Sequence, residues 1–213
     1  MKLKAFIVAA LAVAAIAYVE RGAIMDRIIT SQIDRTLNRV DNSLLTDGKI
    51  HVILCGTAAA LPDKDRAGPC TAVIAGGQFW LVDVGPGSWR NVDQMNLPAS
   101  RLSGVLITHF HSDHIGDLGE AITQSWIAGR STPLDIYGPQ GVNDIVAGEQ
   151  LAFSHDKQYR VEHHGADYMP PAGDEALAHA LPTPKGVDTV PVFERDGLRI
   201  SAFLVDHAPV DIA

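Results

Sequence analysis

The sequence predicts a mixed α/β layered domain, and three observations point to it. Short runs rich in Val, Ile and Leu recur from Lys49 onward. Gly and Pro punctuate those runs at close intervals. Several strand-like runs pass before the first core helix, after which helices and strands intermingle. That order fits a layered domain better than a strict βαβ repeat.

The strand candidates are residues 49–55 (KIHVILC), 71–75 (TAVIA), 78–84 (QFWLVDV) and 104–108 (GVLIT), each β-branched or aliphatic enough to sit in a sheet. Gly56, Gly68-Pro69, Gly76-Gly77 and Gly85-Pro86-Gly87 separate them. Residues 115–128 read as a helix, because Ile115, Leu118, Ile122 and Trp126 fall on one face. Residues 134–137 form a further strand, and a helix covers 142–153. The Pro-, His- and acid-rich stretch 154–196 reads as an irregular excursion, after which 198–205 (LRISAFLV) returns to strand.

With 213 residues and 46% hydrophobic side chains, the chain can bury a sizeable core. A formal net charge of −8 argues against nucleic acid as a partner, since such surfaces cluster Lys and Arg. The spacing of the two cysteines, Cys55 and Cys70, matches no zinc motif. They suit either a disulfide in an exported domain or two buried thiols.

The N-terminus divides from the rest, giving residues 1–45 as a leader or anchor and 46–213 as the domain. Lys2 and Lys4 precede an uncharged apolar run over 5–19. It reads as a retained hydrophobic helix or as a signal segment cut after Ala15-Ile16-Ala17. Residues 20–40 carry Ile24, Ile28, Ile33, Leu37 and Val40 at helical spacing, extending the anchor as an amphipathic helix. The expectation is a membrane-anchored or exported, extracytoplasmic protein with the membrane as a partner through this segment.

Chemistry concentrates in Thr108-His109-Phe110-His111-Ser112-Asp113-His114. In extended backbone, positions i and i+2 point the same way, so His109 and His111 can present imidazoles to one ion. Asp113 and His114 follow at the turn into a helix and can aim at a second ion. Neutral imidazole and carboxylate suit Zn²⁺ or a similar first-row cation, one or two per chain.

The pattern His-x-His-x-Asp-His resembles the signature of the metallo-β-lactamase superfamily. Leu54-Cys55-Gly56-Thr57, Arg66-Ala67-Gly68-Pro69, Leu81-Val82-Asp83-Val84-Gly85-Pro86-Gly87 and Ile136-Tyr137-Gly138-Pro139 resemble its ribonuclease Z and arylsulfatase-like branch. The resemblance implies an αββα sandwich with metals at one end. It also implies His109, His111 and His207 on a first metal, with Asp113 and His114 on a second. Asp83 resembles a strand-end Asp that orients the metal loop. His163 and His164 are candidates for contacting substrate.

The branch's Gly-Asp-Thr stretch and late His have no counterpart before Ala213. The expectation is therefore the N-terminal portion only of the sandwich, with apolar faces that another chain, such as a homo-oligomeric partner, would cover. In mechanism the resemblance implies a hydrolase acting through metal-bound hydroxide, with Asp113 as catalytic residue and small sulfate or phosphate esters as substrates. Alternatives are a tRNA 3′ endonuclease-like enzyme, a lactone or β-lactam hydrolase, and a non-catalytic remnant binding at most one metal.

Overall fold

In the computed structural model the described residues are 18, 20–23, 25, 27–28, 42–61, 63–183, 188–207 and 210–212. The chain divides into two compact units, Met1–Arg39 and Val40–Ala213. In the first unit the described positions from 18 to 28 are mostly helical, and the Arg21 guanidinium lies 4.4 Å over the Tyr18 ring. The expected apolar run over 5–19, apart from Tyr18, and most of the amphipathic stretch after it lie outside the described residues. No helix among the described residues is long and apolar enough to cross a membrane.

The second unit is built on a six-stranded sheet in the order β1-β2-β3-β4-β5-β6. Strands β1 (His51–Gly56), β2 (Cys70–Ala75) and β3 (Gln78–Val82) form an antiparallel meander. Gly76 and Gly77, at φ 57° and 74°, make the two-residue turn between Ala75 and Gln78. Two consecutive positive-φ residues match the twist of a hairpin and exclude most side chains. Strands β4 (Leu102–Leu106), β5 (Leu134–Gly138) and β6 (Ala176–Ala180) then add in parallel to β3. Four parallel neighbours therefore end at one edge, and ligands of α/β sheets bind beyond that edge.

Helices cover one face of this sheet. They are α1 (Ser88–Gln94), α2 (Ser112–Ile115), α3 (Leu118–Ile127) and α4 (Val142–Ala152), and α5 (Ser154–His164) packs on α4. Val92, Leu118, Ala121, Ile122, Val142 and Val146 bury against Ile74, Phe79, Leu81, Val105, Leu134 and Ile136 in one core cluster. Burying each such side chain contributes about 1.5–3 kcal/mol. The helix expected over 115–128 is broken into α2 and α3. Pro86 presses against Gly116, where an added Cβ would meet it at 2.6 Å. Asp117 leaves helical geometry and accepts the Trp89 N–H at 3.0 Å.

The other face of the sheet meets an antiparallel hairpin, β7 (Val190–Arg195) with β8 (Leu198–Ala202). Trp80 and Phe193 meet across this layer with their rings tilted at 60°, centroids 4.6 Å apart. Between the two lies an apolar cavity of about 250 Å³ lined by Val82, Leu106, Tyr137, Val192, Ile200 and others. Strands β9 (Val205–His207) and β10 (Val210–Ile212) pair beyond it. The expected strand over 198–205 thus ends at Ala202, and His207 belongs to β9.

The stretch 154–196 is not the irregular excursion expected, since it contains α5, β6 and β7. Helix α5 buries no residue and so carries no apolar stripe to read. Its support comes from pairs one turn apart, Arg160 to Asp156 at 2.6 Å and Gln158 to Glu162 at 2.7 Å.

Candidate metal centre

The site is assembled where β3 and β4 end. Strand β4 delivers Thr108 and His109, extended backbone at His111 turns the chain, and α2 begins at Ser112. The loop is held down by backbone bonds: Val84 N–H donates to His114 C=O and Asp117 N–H to Val84 C=O, both 2.8 Å. Gly85 and Gly68 make this approach possible. An added Cβ on Gly85 would lie 2.0 Å from the Asp113 carbonyl oxygen, and one on Gly68 would lie 2.8 Å from the same atom.

His109, His111 and His207 offer ligand atoms that all lie within 4.8 Å of one another. The His109 ring centroid is 4.6 Å from that of His111 and 5.0 Å from that of His207. Nε2 of His109 and Nδ1 of His111 are 2.9 Å apart, so they point at one small volume. His109 is buried, and its pKa lies below the ordinary histidine value. Burial is the main cause, followed by the like charge of His114 and His111, against an opposing pull from Asp83. A neutral imidazole keeps the lone pair that a metal takes. Three nitrogen donors converging at this range fit Zn²⁺ or a similar first-row cation.

Asp113 and His114 stand beside this cluster and outside it. Nε2 of His114 is 3.6 Å from an Asp113 carboxylate oxygen, and both side chains are half-buried. Behind them, Asp83 is buried at φ 57°, a left-handed conformation that costs a non-glycine residue on the order of 1 kcal/mol. It accepts the Thr108 N–H at 2.9 Å, the Thr108 hydroxyl at 2.9–3.1 Å and Nδ1–H of His114 at 2.7 Å. One carboxylate therefore ties the end of β3 to the metal loop.

A cleft of about 270 Å³ opens beside Ser112 and Asp113, lined also by Ala58, Ala60, Asp63, Arg66 and Pro86. Arg66 is its one lining cation among the described residues. Cys55 and Cys70 form a disulfide that staples β1 to β2. Of the readings the two cysteines allowed, the structure takes the bonded one.

The remaining histidines lie elsewhere. His163 and His164 are exposed at the end of α5, and their ring contacts are with each other at 4.5 Å and with Tyr168. His51 pairs with Asp47 and His179 with Asp135, the latter under the Tyr137 ring. Sequence reasoning named Thr108 but gave its hydroxyl no role, and it missed Asp117 altogether. The available signal was a hydroxyl side chain at a strand end directly before the first histidine.

The family model described as Anti-Pycsar protein Apyc1 matches residues 50–173, which include His109 to His114. Ribonuclease Z of Mycobacterium avium is 41% identical over 164 residues, covering 76% of this chain and 55% of the relative. The chain belongs to the Apyc1 family, in the ribonuclease Z branch of the metallo-β-lactamase superfamily. Ribonuclease Z of Mycolicibacterium paratuberculosis is 42% identical over the same length and coverage. The chain thus spans about half the length of the curated relatives it matches. Among solved structures, the short form of human tRNase Z shares the fold at TM-score 0.57 and 22% identity, covering 77% of this chain and 61% of that one. The metallo-β-lactamase fold protein YhfI from Bacillus subtilis aligns at TM-score 0.50 and 19% identity, covering 77% and 56%.

Membership makes this branch, a family of metal-dependent hydrolases, the setting for the site. It also overturns the expected partners. Relatives about 40% identical are ribonucleases by name, so the exclusion of nucleic acid fails. Net charge is an average over the whole chain, whereas a nucleic acid is met by one face. The same comparisons give no support to a membrane partner or to small esters as the binding class.

Proposed function

We propose that the chain holds a divalent metal ion on His109, His111 and His207 and hydrolyses phosphodiester bonds of RNA. The observation that carries this is the three-histidine cluster, with ligand atoms within 4.8 Å, set in a stretch about 40% identical to ribonuclease Z. Zinc is the proposed ion because three converging imidazole nitrogens suit it. When bound, such an ion polarises a phosphoryl oxygen and acidifies water. A second ion on Asp113 and His114 is part of the proposal, supported by their adjacency.

The chain's own groups divide the remaining work. Asp113, half-buried at the cleft, orients the attacking water and takes its proton. Arg66 faces the same cleft and offers a planar guanidinium, which pairs with a phosphate through two parallel bonds. Asp83 keeps His114 and the metal loop in register. Of the earlier ester expectation, the phosphate half is kept as a phosphodiester, and the sulfate half has no support.

The test is cleavage of a tRNA precursor carrying a 3′ extension by the zinc-loaded chain, compared with His109→Ala and Asp113→Asn. Cleavage by the wild type and a fall of at least 100-fold in both variants is expected. Zinc bound without cleavage would reduce the chain to a metal-binding protein. Cleavage unaffected by His109→Ala would place the chemistry elsewhere.

A further inference from the structure

The Thr108 hydroxyl sits between two groups with opposite needs. On one side it lies 2.9 and 3.1 Å from the two Asp83 carboxylate oxygens. On the other it lies 3.0 Å from Nδ1 of His109. A hydroxyl has one proton to give and two lone pairs with which to accept. The Asp83 carboxylate accepts only, so the Thr108 proton goes to it. The Thr108 oxygen is then left facing His109 Nδ1 as an acceptor, which requires Nδ1 of His109 to carry the proton. Nε2 of His109 is thereby left with its lone pair, and it is this atom that meets His111 Nδ1 at 2.9 Å. The weaker approach of Thr108 to His114 Nδ1, 3.5 Å, does not compete, because that nitrogen already donates to Asp83 at 2.7 Å.

We propose that Thr108 is a positioning residue: its hydroxyl relays Asp83 to His109 and fixes the His109 tautomer that presents Nε2 to the metal. Asp83 thereby sets two histidines, His114 directly and His109 through Thr108. The site around the hydroxyl favours such a relay. Thr108 lines the apolar cavity with Val82, Leu106, Ile107 and Tyr137, where a polar bond meets little competing water. A tautomer set by the partner of the other ring nitrogen is the general way in which proteins orient imidazole ligands. The inference rests on the metal-centre reading above, but the relay exists in metal-free protein and can be read there.

The deciding measurement is two-bond ¹⁵N–¹H NMR of the metal-free 213-residue chain, with the His109 signals assigned through His109→Gln. Wild type and Thr108→Ser are expected to show His109 protonated on Nδ1, and Thr108→Val to show a mixture or the reverse. Zinc affinity by chelator competition is expected to fall roughly 10- to 100-fold in Thr108→Val. Thr108→Ser should stay within about threefold of wild type, since it keeps the hydroxyl. A purely packing role would give the opposite order, because Val keeps the shape and Ser does not. Wild type protonated on Nε2, or Thr108→Val unchanged in tautomer, overturns the relay. The wild-type spectrum decides even if Thr108→Val does not fold. A wild type with the expected tautomer that binds no zinc would sink the metal-centre reading and leave the relay standing.

Discussion

Replacing Asp83 by Asn keeps the shape of the side chain and exchanges one acceptor oxygen for a donor. In the native protein the carboxylate takes three donors: the Thr108 amide, the Thr108 hydroxyl and Nδ1–H of His114. The amide can satisfy the side on which its oxygen lies. Its NH₂ then faces either the Thr108 N–H, a donor against a donor, or His114 Nδ1, which can receive it only by moving the ring proton to Nε2 and so giving up the lone pair that faces Asp113. Asp83 is only 5% exposed, so water cannot repair the mismatch. One orphaned buried donor costs about 1–3 kcal/mol. Backbone strain does not change the balance, because Asn tolerates the left-handed conformation at φ 57° as well as Asp does. For a chain of this length, about 2 kcal/mol lowers the Tm by roughly 4–8 °C. Urea denaturation of the metal-free protein reads the loss, and zinc titration should show affinity weakened roughly 10- to 100-fold. A variant within about 0.5 kcal/mol of wild type, with zinc affinity unchanged, would refute the claim that this carboxylate holds the loop together.

Gly85→Ala pushes a methyl group against the Asp113 carbonyl and the Gly68 backbone, neither of which can swing aside. Its expected cost is about 1–3 kcal/mol, with weakened zinc binding; full stability by thermal melt would count against the close approach. Reducing the Cys55–Cys70 bond, 15 residues apart, should lower stability by about 3 kcal/mol, seen as a lower Tm with reductant than without. Glu149 has its pKa raised by burial, so it favours folding while protonated, and this contribution is lost as pH rises through its folded value above 4.5. Glu149→Gln should therefore gain on wild type at neutral pH and lose that advantage toward pH 4.5. An advantage that grew as pH fell would reverse the assignment.

Five of the sheet's six strands were legible because they are short apolar runs closed by Gly and Pro, and runs 71–75 and 134–137 match β2 and β5 to within a residue, whereas β6 lay hidden in the stretch expected to be irregular. His109, His111, Asp113 and His114 were legible because four ligand-type residues fall within six positions. His207 was legible only through resemblance: a lone histidine after a strand carries no local signal, and 98 positions of chain separate it from His109. Helix α5 escaped notice because it buries no residue, and its scattered Tyr159 and Val161 form no apolar stripe. The break between α2 and α3 escaped as well, since it depends on Pro86 approaching Gly116 from 30 positions away in the chain. Net charge misled on partners for the related reason that composition has no geometry.

Zinc-edge X-ray absorption on the zinc-loaded chain, with and without His207→Ala, tests the central claim most directly. Three imidazole nitrogens at about 2.0–2.1 Å are expected for the wild type, falling to two in the variant. A wild-type spectrum without imidazole scattering, or one that His207→Ala leaves unchanged, would contradict the assignment of His109, His111 and His207 to one metal.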